Sequence, residues 1–324
     1  MKFTQSHHTI KDVIENFETL MSHMQKLINN SGQTKLIKNT KLGEMHNQLV
    51  NIKNLTDDQA AALALTISNY NQVNRIFDGS LDISFKDHEV LDLITGQLTL
   101  EGPNDKSSDR LFELGMAIRF ARGSMGTFTV NLETECDIII NDKLAIECKN
   151  LQSAKKVKSR VKYASDQLER RFDEGLATYG FIAVDVSALI DRNKFKQFAS
   201  SAFECFEKTY TAMASAGSFA PTIRKNGILS SIESDKNFQK IITSYLAHQA
   251  EFALHSNLGD FRLEHLPQNC WGIIIQSTVP LSISNNEKLV PIPIRTTSYF
   301  LNPSFPEQLE NEMRDFLGQL STGF

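Results

Sequence analysis

The chain has 324 residues, of which 41% are hydrophobic and 22% are charged. This composition is typical of a folded globular protein and excludes the disordered and fibrous classes. The formal net charge of −4 argues against wholesale coating of nucleic acid, because affinity for the nucleic-acid backbone comes from cations that neutralise phosphates.

Cysteine usage and the N-terminal segment bear on the compartment. The four cysteines form no C-x-x-C pair, so neither a zinc knuckle nor a disulfide framework is indicated. The first residues, MKFTQSHHTIKDV, lack the apolar core of a signal peptide. No segment approaches the roughly 20 consecutive apolar residues of a membrane span. We therefore expect a cytoplasmic protein with no membrane partner.

The N-terminal third reads as mainly helical. Apolar residues from Ile10 to Ile28 follow the helical period and predict a long amphipathic helix. Its apolar stripe either packs into the protein's own core or binds a partner protein or a second copy of the chain. Thr56 and Gln59 have the spacing of a capping box, which predicts a helix that runs toward Ile76.

A domain boundary is expected next. The segment 79–102 alternates irregularly, so short strands are expected there, and the turn-rich stretch GPNDKSSD follows it. We predict a helical domain in residues 1–101, for interaction or oligomerisation, and a second domain in residues 102–324. In the second domain, Leu111, Leu114, Ile118 and Ala121 predict a helix with Glu113 on its flank.

The segment from Cys136 to Asn150 is the most informative in the chain. Two apolar runs, 138–140 and 144–146, flank the polar residues 141–143 and predict a β-hairpin. If residues 141–143 make the turn, Asp137 lies opposite Glu147, and Lys149 shares the face of Glu147. Carboxylates paired in this way have Cβ atoms roughly 4.5 to 5.5 Å apart and destabilise a sheet unless a cation lies between them. The hairpin therefore predicts a cation site.

Two alternatives remain at this point. Glu133 and Glu135 have the same strand parity as Asp137, so either could replace it or extend an acidic stripe. An exposed hairpin could also present Asp137, Glu147 and Lys149 as a solvated face with a cross-strand ion pair. The unbroken apolar runs favour strands that are buried on both faces, where an unpaired charge is very costly.

The helix expected from Ser153 to Glu174 sorts its charges by face. Val157, Val161, Ala164, Leu168 and Phe172 form the buried stripe. One flank carries no acid and consists of Lys156, Arg160, Tyr163, Gln167, Arg170 and Arg171. We expect Lys156, Arg160, Arg170 and Arg171 to contact phosphates without reading sequence. The alternative is a solvated charged face.

The remaining elements complete an α/β pattern. The apolar strand in 178–189 follows that helix, and this order favours a mixed sheet with parallel pairing. Two amphipathic helices come next, with stripes of Phe195, Phe198, Ala202, Phe206 and Met213, and of Phe238, Ile241, Tyr245, Gln249 and Phe252. Strands in 270–279 and 290–300 and a helix in 306–320 end the chain, and two prolines, Pro291 and Pro293, indicate an edge strand.

The arrangement of an acid, a gap and E-x-K resembles the active site of the PD-(D/E)XK nuclease superfamily. The resemblance covers residues 109–172. It implies a restriction endonuclease-like fold, with a mixed sheet flanked by helices. It also implies that Asp137, Glu147 and the backbone carbonyl of Cys148 bind Mg²⁺, for which Mn²⁺ can substitute.

The resemblance further implies catalytic roles. Lys149 would act either as a cation or, with a lowered pKa, as a base. Glu113 matches the helix acid that binds a second ion or orients a water, and Gln167 matches a glutamine close to the lysine. The expected function is a metal-dependent endonuclease with DNA favoured over RNA, and by analogy with such nucleases a role in restriction or phage defence. The alternative is a catalytically inactive nuclease-fold module for nucleic-acid binding or complex assembly.

Overall fold

In the part of the chain that the structure describes, the fold is α/β and is built around one mixed sheet of seven strands. The computed structural model describes residues 10–96, 105–123, 128–216, 227–285 and 288–320. Within these residues the strands are β1 (Ile83–Ser84), β2 (Val130–Asn131), β3 (Ile138–Ile140), β4 (Leu144–Asn150), β5 (Tyr179–Asp185), β6 (Cys270–Asn285) and β7 (Lys288–Leu301). The helices are α1 (Ile10–Asn30), α2 (Lys41–Val50), α3 (Asp57–Gln72), α4 (Asp87–Leu91), α5 (Lys106–Gly123), α6 (Val157–Asp173), α7 (Arg192–Ser215), α8 (Ile228–Glu233), α9 (Lys236–Leu258) and α10 (Glu310–Gln319).

The seven strands lie side by side in sequence order. Strands β4, β5 and β6 are parallel to one another, and β1 is parallel to β2. The other neighbouring pairs are antiparallel. Helix α6 connects β4 to β5, and helices α7 to α9 lie between β5 and β6, as parallel strands require long crossovers. The prediction of a mixed sheet with parallel pairing is confirmed.

The hairpin has the predicted register. Ile140 lies opposite Leu144 and Ile138 lies opposite Ile146. Asn141 and Asp142 make the turn with φ of 51° and 54°, a conformation that Asn and Asp adopt more readily than other non-glycine residues. The apolar runs 138–140 and 144–146 are fully buried, so the expectation of burial on both faces is confirmed.

Successive strand residues point into two hydrophobic cores, one on each face of the sheet. Helices α1, α3 and α5 cover the core that contains Ile146 and Phe181. Helices α6, α7 and α9 cover the other core, which contains Ala145 and Ile182. The sheet is therefore the middle layer of a three-layer arrangement.

The apolar stripe of α1 packs into the protein's own core. Phe17, Leu20, Met24 and Ile28 are buried in the same cluster as Phe181 of the central sheet. The predicted capping box of Thr56 and Gln59 is present at the start of α3. The predicted boundary between residues 101 and 102 lies outside the described residues, and oligomerisation through the N-terminal helices stays a prediction.

Several peripheral expectations differ from the structure. The segment expected to form short strands contributes only β1 and then helix α4 within the described residues. The sequence also predicts a strand near Thr127 to Leu132, of which the structure forms only Val130–Asn131 as β2; Thr127 lies outside the described residues. The prolines of β7 do mark a sheet edge, because β7 is the last strand in the order.

The predicted buried stripe of α9 is wrong. Phe252 is 64% exposed and Ile241 is also exposed. The buried face instead repeats every fourth residue through Phe238, Ile242, Leu246, Ala250 and Leu254. Both stripes begin at Phe238, but the observed one is apolar throughout, whereas the predicted one includes Gln249.

In α7, Phe195 is buried, and Phe198, Ala202 and Phe206 pack against the same core.

None of the described helices combines the length and apolar character needed to cross a bilayer.

Candidate active site

Asp137, Glu147 and Lys149 meet at the start of the hairpin and on β4. The Lys149 ammonium donates to Asp137 Oδ2 and to Glu147 Oε2, both at 3.2 Å, and to the backbone carbonyl of Cys148 at 3.0 Å. The backbone N–H of Cys148 donates to Asp137 Oδ2 at 2.7 Å and fixes that carboxylate. The hairpin register thus brings together the three side chains that the sequence singles out.

Glu147 is fully buried, with 0% of its surface exposed. Its Oε1 has no hydrogen-bond partner, and an unpaired buried acceptor is destabilising. Burial raises the pKa of Glu147 to about 7, and the charge of Asp137 adds to this rise, while Lys149 opposes it. A group with this pKa and a free buried oxygen is suited to receive a cation.

Lys149 is charged at neutral pH. Burial acts to lower its pKa, but the carboxylates of Asp137 and Glu147 outweigh burial and raise the pKa above its ordinary value. Of the two roles expected for Lys149, this charge state favours the cation over the base.

Glu113 belongs to the same electrostatic site, although it lies on α5. Its carboxylate is 2.7 Å from the guanidinium of Arg110. Burial and the charge of Asp137 raise the pKa of Glu113 to about 8, against the opposing effects of Arg110 and Lys149. The Glu113 carboxyl is therefore mostly protonated at pH 7.

Asp109, which was not predicted from the sequence, lies one turn before Glu113 on α5. Burial raises the pKa of Asp109, the charges of Arg160 and Lys149 lower it, and Asp137 raises it further. Asp109 thus interacts electrostatically with Asp137 and Lys149 of the site and with Arg160 of α6. The i, i+4 spacing of Asp109 and Glu113, which places both on one helix face, is the signal that could have identified it.

The two alternative acids lie away from Lys149. Glu135 is exposed and pairs with Arg171 at 2.7 Å, and Glu133 is exposed as well. Strand β3 begins only at Ile138, so the residues before Asp137 leave the ladder and strand parity no longer aligns their side chains. Asp137 is the acid that faces Glu147.

Helix α6 presents most of its predicted basic flank to solvent. Lys156, Arg160 and Arg170 are exposed, and Tyr163 beside them is an exposed aromatic residue. The buried stripe of Val157, Val161, Ala164 and Leu168 is as predicted. We call the exposed set of Lys156, Arg160, Tyr163 and Arg170 the basic face of α6.

Arg171 was also expected to contact phosphates, but its side chain is buried. It is only 8% exposed, and its guanidinium donates to Glu135 at 2.7 Å and to Glu174 at 3.0 Å. At 100° per residue, Arg171 lies only about 20° around the helix from the buried Ala164. Its charge is therefore used in ion pairs with Glu135 and Glu174, and Arg171 is not part of the exposed basic face of α6.

Gln167 is partly exposed, and its Oε1 is buried without a hydrogen-bond partner. It is not among the three acceptors of the Lys149 ammonium. A catalytic role for Gln167 stays a prediction.

The donor atoms of the site fit a hard cation. No group of three or more His, Cys, Asp or Glu side chains suited to a metal occurs in the described part of the chain. The site instead offers Asp137 Oδ2, Glu147 Oε2 and the Cys148 carbonyl, together with the unpaired Glu147 Oε1. Carboxylate and carbonyl oxygens are the ligands that Mg²⁺ prefers, and Mg²⁺ fills its remaining positions with water.

Comparison of the chain with protein-family models, curated proteins and solved structures finds no match.

Proposed function

We propose that the chain is a divalent-metal-dependent nuclease that hydrolyses phosphodiester bonds, with DNA as the favoured substrate. In this proposal the sheet is restriction endonuclease-like and the site is of the PD-(D/E)XK type. One observation carries it: a buried E-x-K strand places the Lys149 ammonium on Asp137 Oδ2, Glu147 Oε2 and the Cys148 carbonyl at once. A role in restriction or phage defence rests on analogy alone.

Asp137, Glu147 and the Cys148 carbonyl would hold Mg²⁺ or Mn²⁺. When bound, such a cation activates water as a nucleophile and offsets negative charge on the phosphate. The Lys149 ammonium donates hydrogen bonds to the same three oxygens. If these oxygens held a cation, the N–H donors of Lys149 would be available to a phosphate oxygen.

Glu113 and Asp109 would act from α5. Glu113 holds a proton at pH 7 because its pKa is about 8. Its carboxyl group can orient a water molecule, and in its ionised form it can contribute to binding a second cation. Asp109 links the site to Arg160, whose charge lowers the pKa of Asp109.

The basic face of α6 would guide the substrate to this site. Lys156, Arg160 and Arg170 can neutralise phosphates without reading sequence. The exposed ring of Tyr163 offers a surface on which an unpaired base can stack. The charge of Arg160 lowers the pKa of Asp109, which supports a location of one end of this face close to the acids.

A second candidate is a nuclease-fold module that binds nucleic acid or assembles a complex without catalysis. It is favoured by the same ammonium, since Lys149 by itself already neutralises part of the charge of Asp137 and Glu147. The two candidates differ in whether a divalent cation is needed for any activity.

The test is to incubate the full chain with supercoiled, linear and single-stranded DNA and with RNA, each with Mg²⁺, Mn²⁺ or excess EDTA. We expect cleavage of at least one DNA substrate with the metal and none with EDTA. Asp137→Asn should abolish cleavage, whereas Glu133→Gln, which changes an exposed acid of the same loop, should not. Binding without cleavage of any substrate would support the second candidate, and cleavage in EDTA would overturn the proposed mechanism.

A further inference from the structure

A second polar site lies on the opposite face of the sheet. It is a cavity of about 90 Å³ between α3, α5, the carboxyl ends of β4 and β5, and the middle of β6. Asn150 lines it, and Asn150 points away from the face that carries Lys149 because neighbouring strand residues alternate. The volume is several times the roughly 10 to 15 Å³ that one water molecule needs. Carboxyl ends of parallel strands are a common position for ligand sites in α/β proteins.

Arg119 is the decisive residue of this cavity. Its side chain is only 4% exposed. Its Nε donates to the backbone carbonyl of Gly115 at 2.9 Å, and its Nη2 contacts the Met116 sulfur, a weak acceptor, at 3.0 Å. Its Nη1 is buried and has no hydrogen-bond partner. A buried guanidinium with an unused donor group is costly unless an acceptor completes it.

The walls of the cavity carry an excess of positive charge. Among the described residues that line it, three are arginines, Arg119, Arg192 and Arg295, and one is an acid, Asp185. Burial lowers the pKa of Arg295, and the nearby charge of Arg119 lowers it further, so these two guanidiniums are close enough to repel each other. An anion between them would relieve this repulsion.

The acid in the wall is already engaged with the protein. Asp185 accepts hydrogen bonds from the backbone N–H of Ser187 at 2.8 Å, from the Ser187 hydroxyl, and from Gln276 Nε2 at 2.9 Å. The other amide atom of Gln276, Oε1, is buried without a partner. A ligand that fits the cavity therefore presents several acceptor oxygens to guanidiniums and one donor group to Gln276.

We propose that this cavity binds a phosphate monoester group, with Arg119 as its main ligand. A phosphate has enough oxygens to accept from two guanidiniums and, in its singly protonated form, an O–H that can donate to Gln276 Oε1. The group belongs either to a small phosphorylated molecule or to the terminal phosphate of a nucleic-acid strand. The inference does not depend on the nuclease activity proposed above.

The test is a thermal unfolding series on the full chain in EDTA, with inorganic phosphate against chloride at equal ionic strength. We expect the wild-type Tm to rise with phosphate concentration. In Arg119→Met the rise should be absent, and the Tm without phosphate should be equal to or higher than that of the wild type, because a buried, incompletely paired charge is gone. Lys162→Ala, which removes an exposed cation of α6 outside both the cavity and the basic face, should keep the full response.

Calorimetric titration of the wild type with inorganic phosphate tests the site independently of any variant. One bound phosphate per chain is expected. Titrations with a nucleoside monophosphate and with matched 5′-phosphorylated and 5′-hydroxyl oligonucleotides then identify the source of the group. An unchanged wild-type Tm together with no bound phosphate, or a full phosphate response in Arg119→Met, would overturn the proposal.

Discussion

Glu147→Gln should show how much folding stability the protein loses when the buried Glu147 carboxyl ionises. Burial raises the pKa of the Glu147 carboxyl from 4.5 to about 7, and this shift corresponds to on the order of 3 kcal/mol in the free energy of unfolding. Because the folded-state pKa is the higher one, the protein has this stability in full below pH 4.5, where the carboxyl is protonated. It loses this stability as the pH rises through about 7 and the carboxyl ionises. Glutamine keeps the shape of the side chain and does not ionise.

The assay is thermal unfolding in EDTA from pH 4.5 to 8.5. At about 2 °C per kcal/mol for a large domain, the Tm of the wild type should fall between these limits by on the order of 6 °C more than that of Glu147→Gln. Adding Mg²⁺ at pH 8 should restore the wild type and leave the variant unchanged. Glu133→Gln serves as the matched control and should follow the wild type.

Two results would refute this reasoning. One is a Tm of Glu147→Gln that falls with pH as steeply as that of the wild type, which would mean that the buried carboxyl is not destabilising. The other is equal stabilisation of both proteins by Mg²⁺, which would place the cation elsewhere.

The other predictions concern catalysis and substrate binding. Lys149→Ala and Asp137→Asn should each lower the cleavage rate by about 100-fold or more while circular dichroism shows a retained fold; a Lys149→Ala protein that cleaves at the wild-type rate would remove the lysine from the mechanism. Lys156→Ala and Arg160→Ala should each weaken DNA binding and reduce the slope of log affinity against log salt by about 0.9. Lys162→Ala, on the side of α6 that carries Asp166, Glu169 and Asp173, should leave that slope unchanged, and an equal loss in all three variants would argue against a defined basic face.

The site core could be predicted from sequence because β-structure has a strict period. One assumption about the turn at residues 141–143 fixed the register, and that register placed Asp137 opposite Glu147 and Lys149 on the same face. The contacts of the Lys149 ammonium agree with this arrangement. The alternation of side chains between the two faces of the sheet does not apply to Glu133 and Glu135, because the strand begins only after Asp137.

The features that could not be predicted from the sequence depend on contacts between elements that are distant along the chain. The helical period places Arg171 at the border of the buried stripe, but its partner Glu135 comes from a distant loop. The buried face of α9 was misassigned because two stripes at helical spacing share Phe238, and packing against the sheet and neighbouring helices decides between them. The cavity around Arg119 is formed by two helices, the ends of β4 and β5 and the middle of β6, and no local pattern along the chain predicts that these segments meet.

Titration with Mn²⁺ followed by electron paramagnetic resonance tests the central claim most directly, since it counts bound cations without requiring the right substrate. For the wild type at pH 8 we predict at least one bound Mn²⁺, which Mg²⁺ displaces. Asp137→Asn should lose a bound Mn²⁺ and Glu133→Gln should retain it. The same number of bound Mn²⁺, with the same affinity, in Asp137→Asn and in the wild type would contradict a cation site built on Asp137 and Glu147.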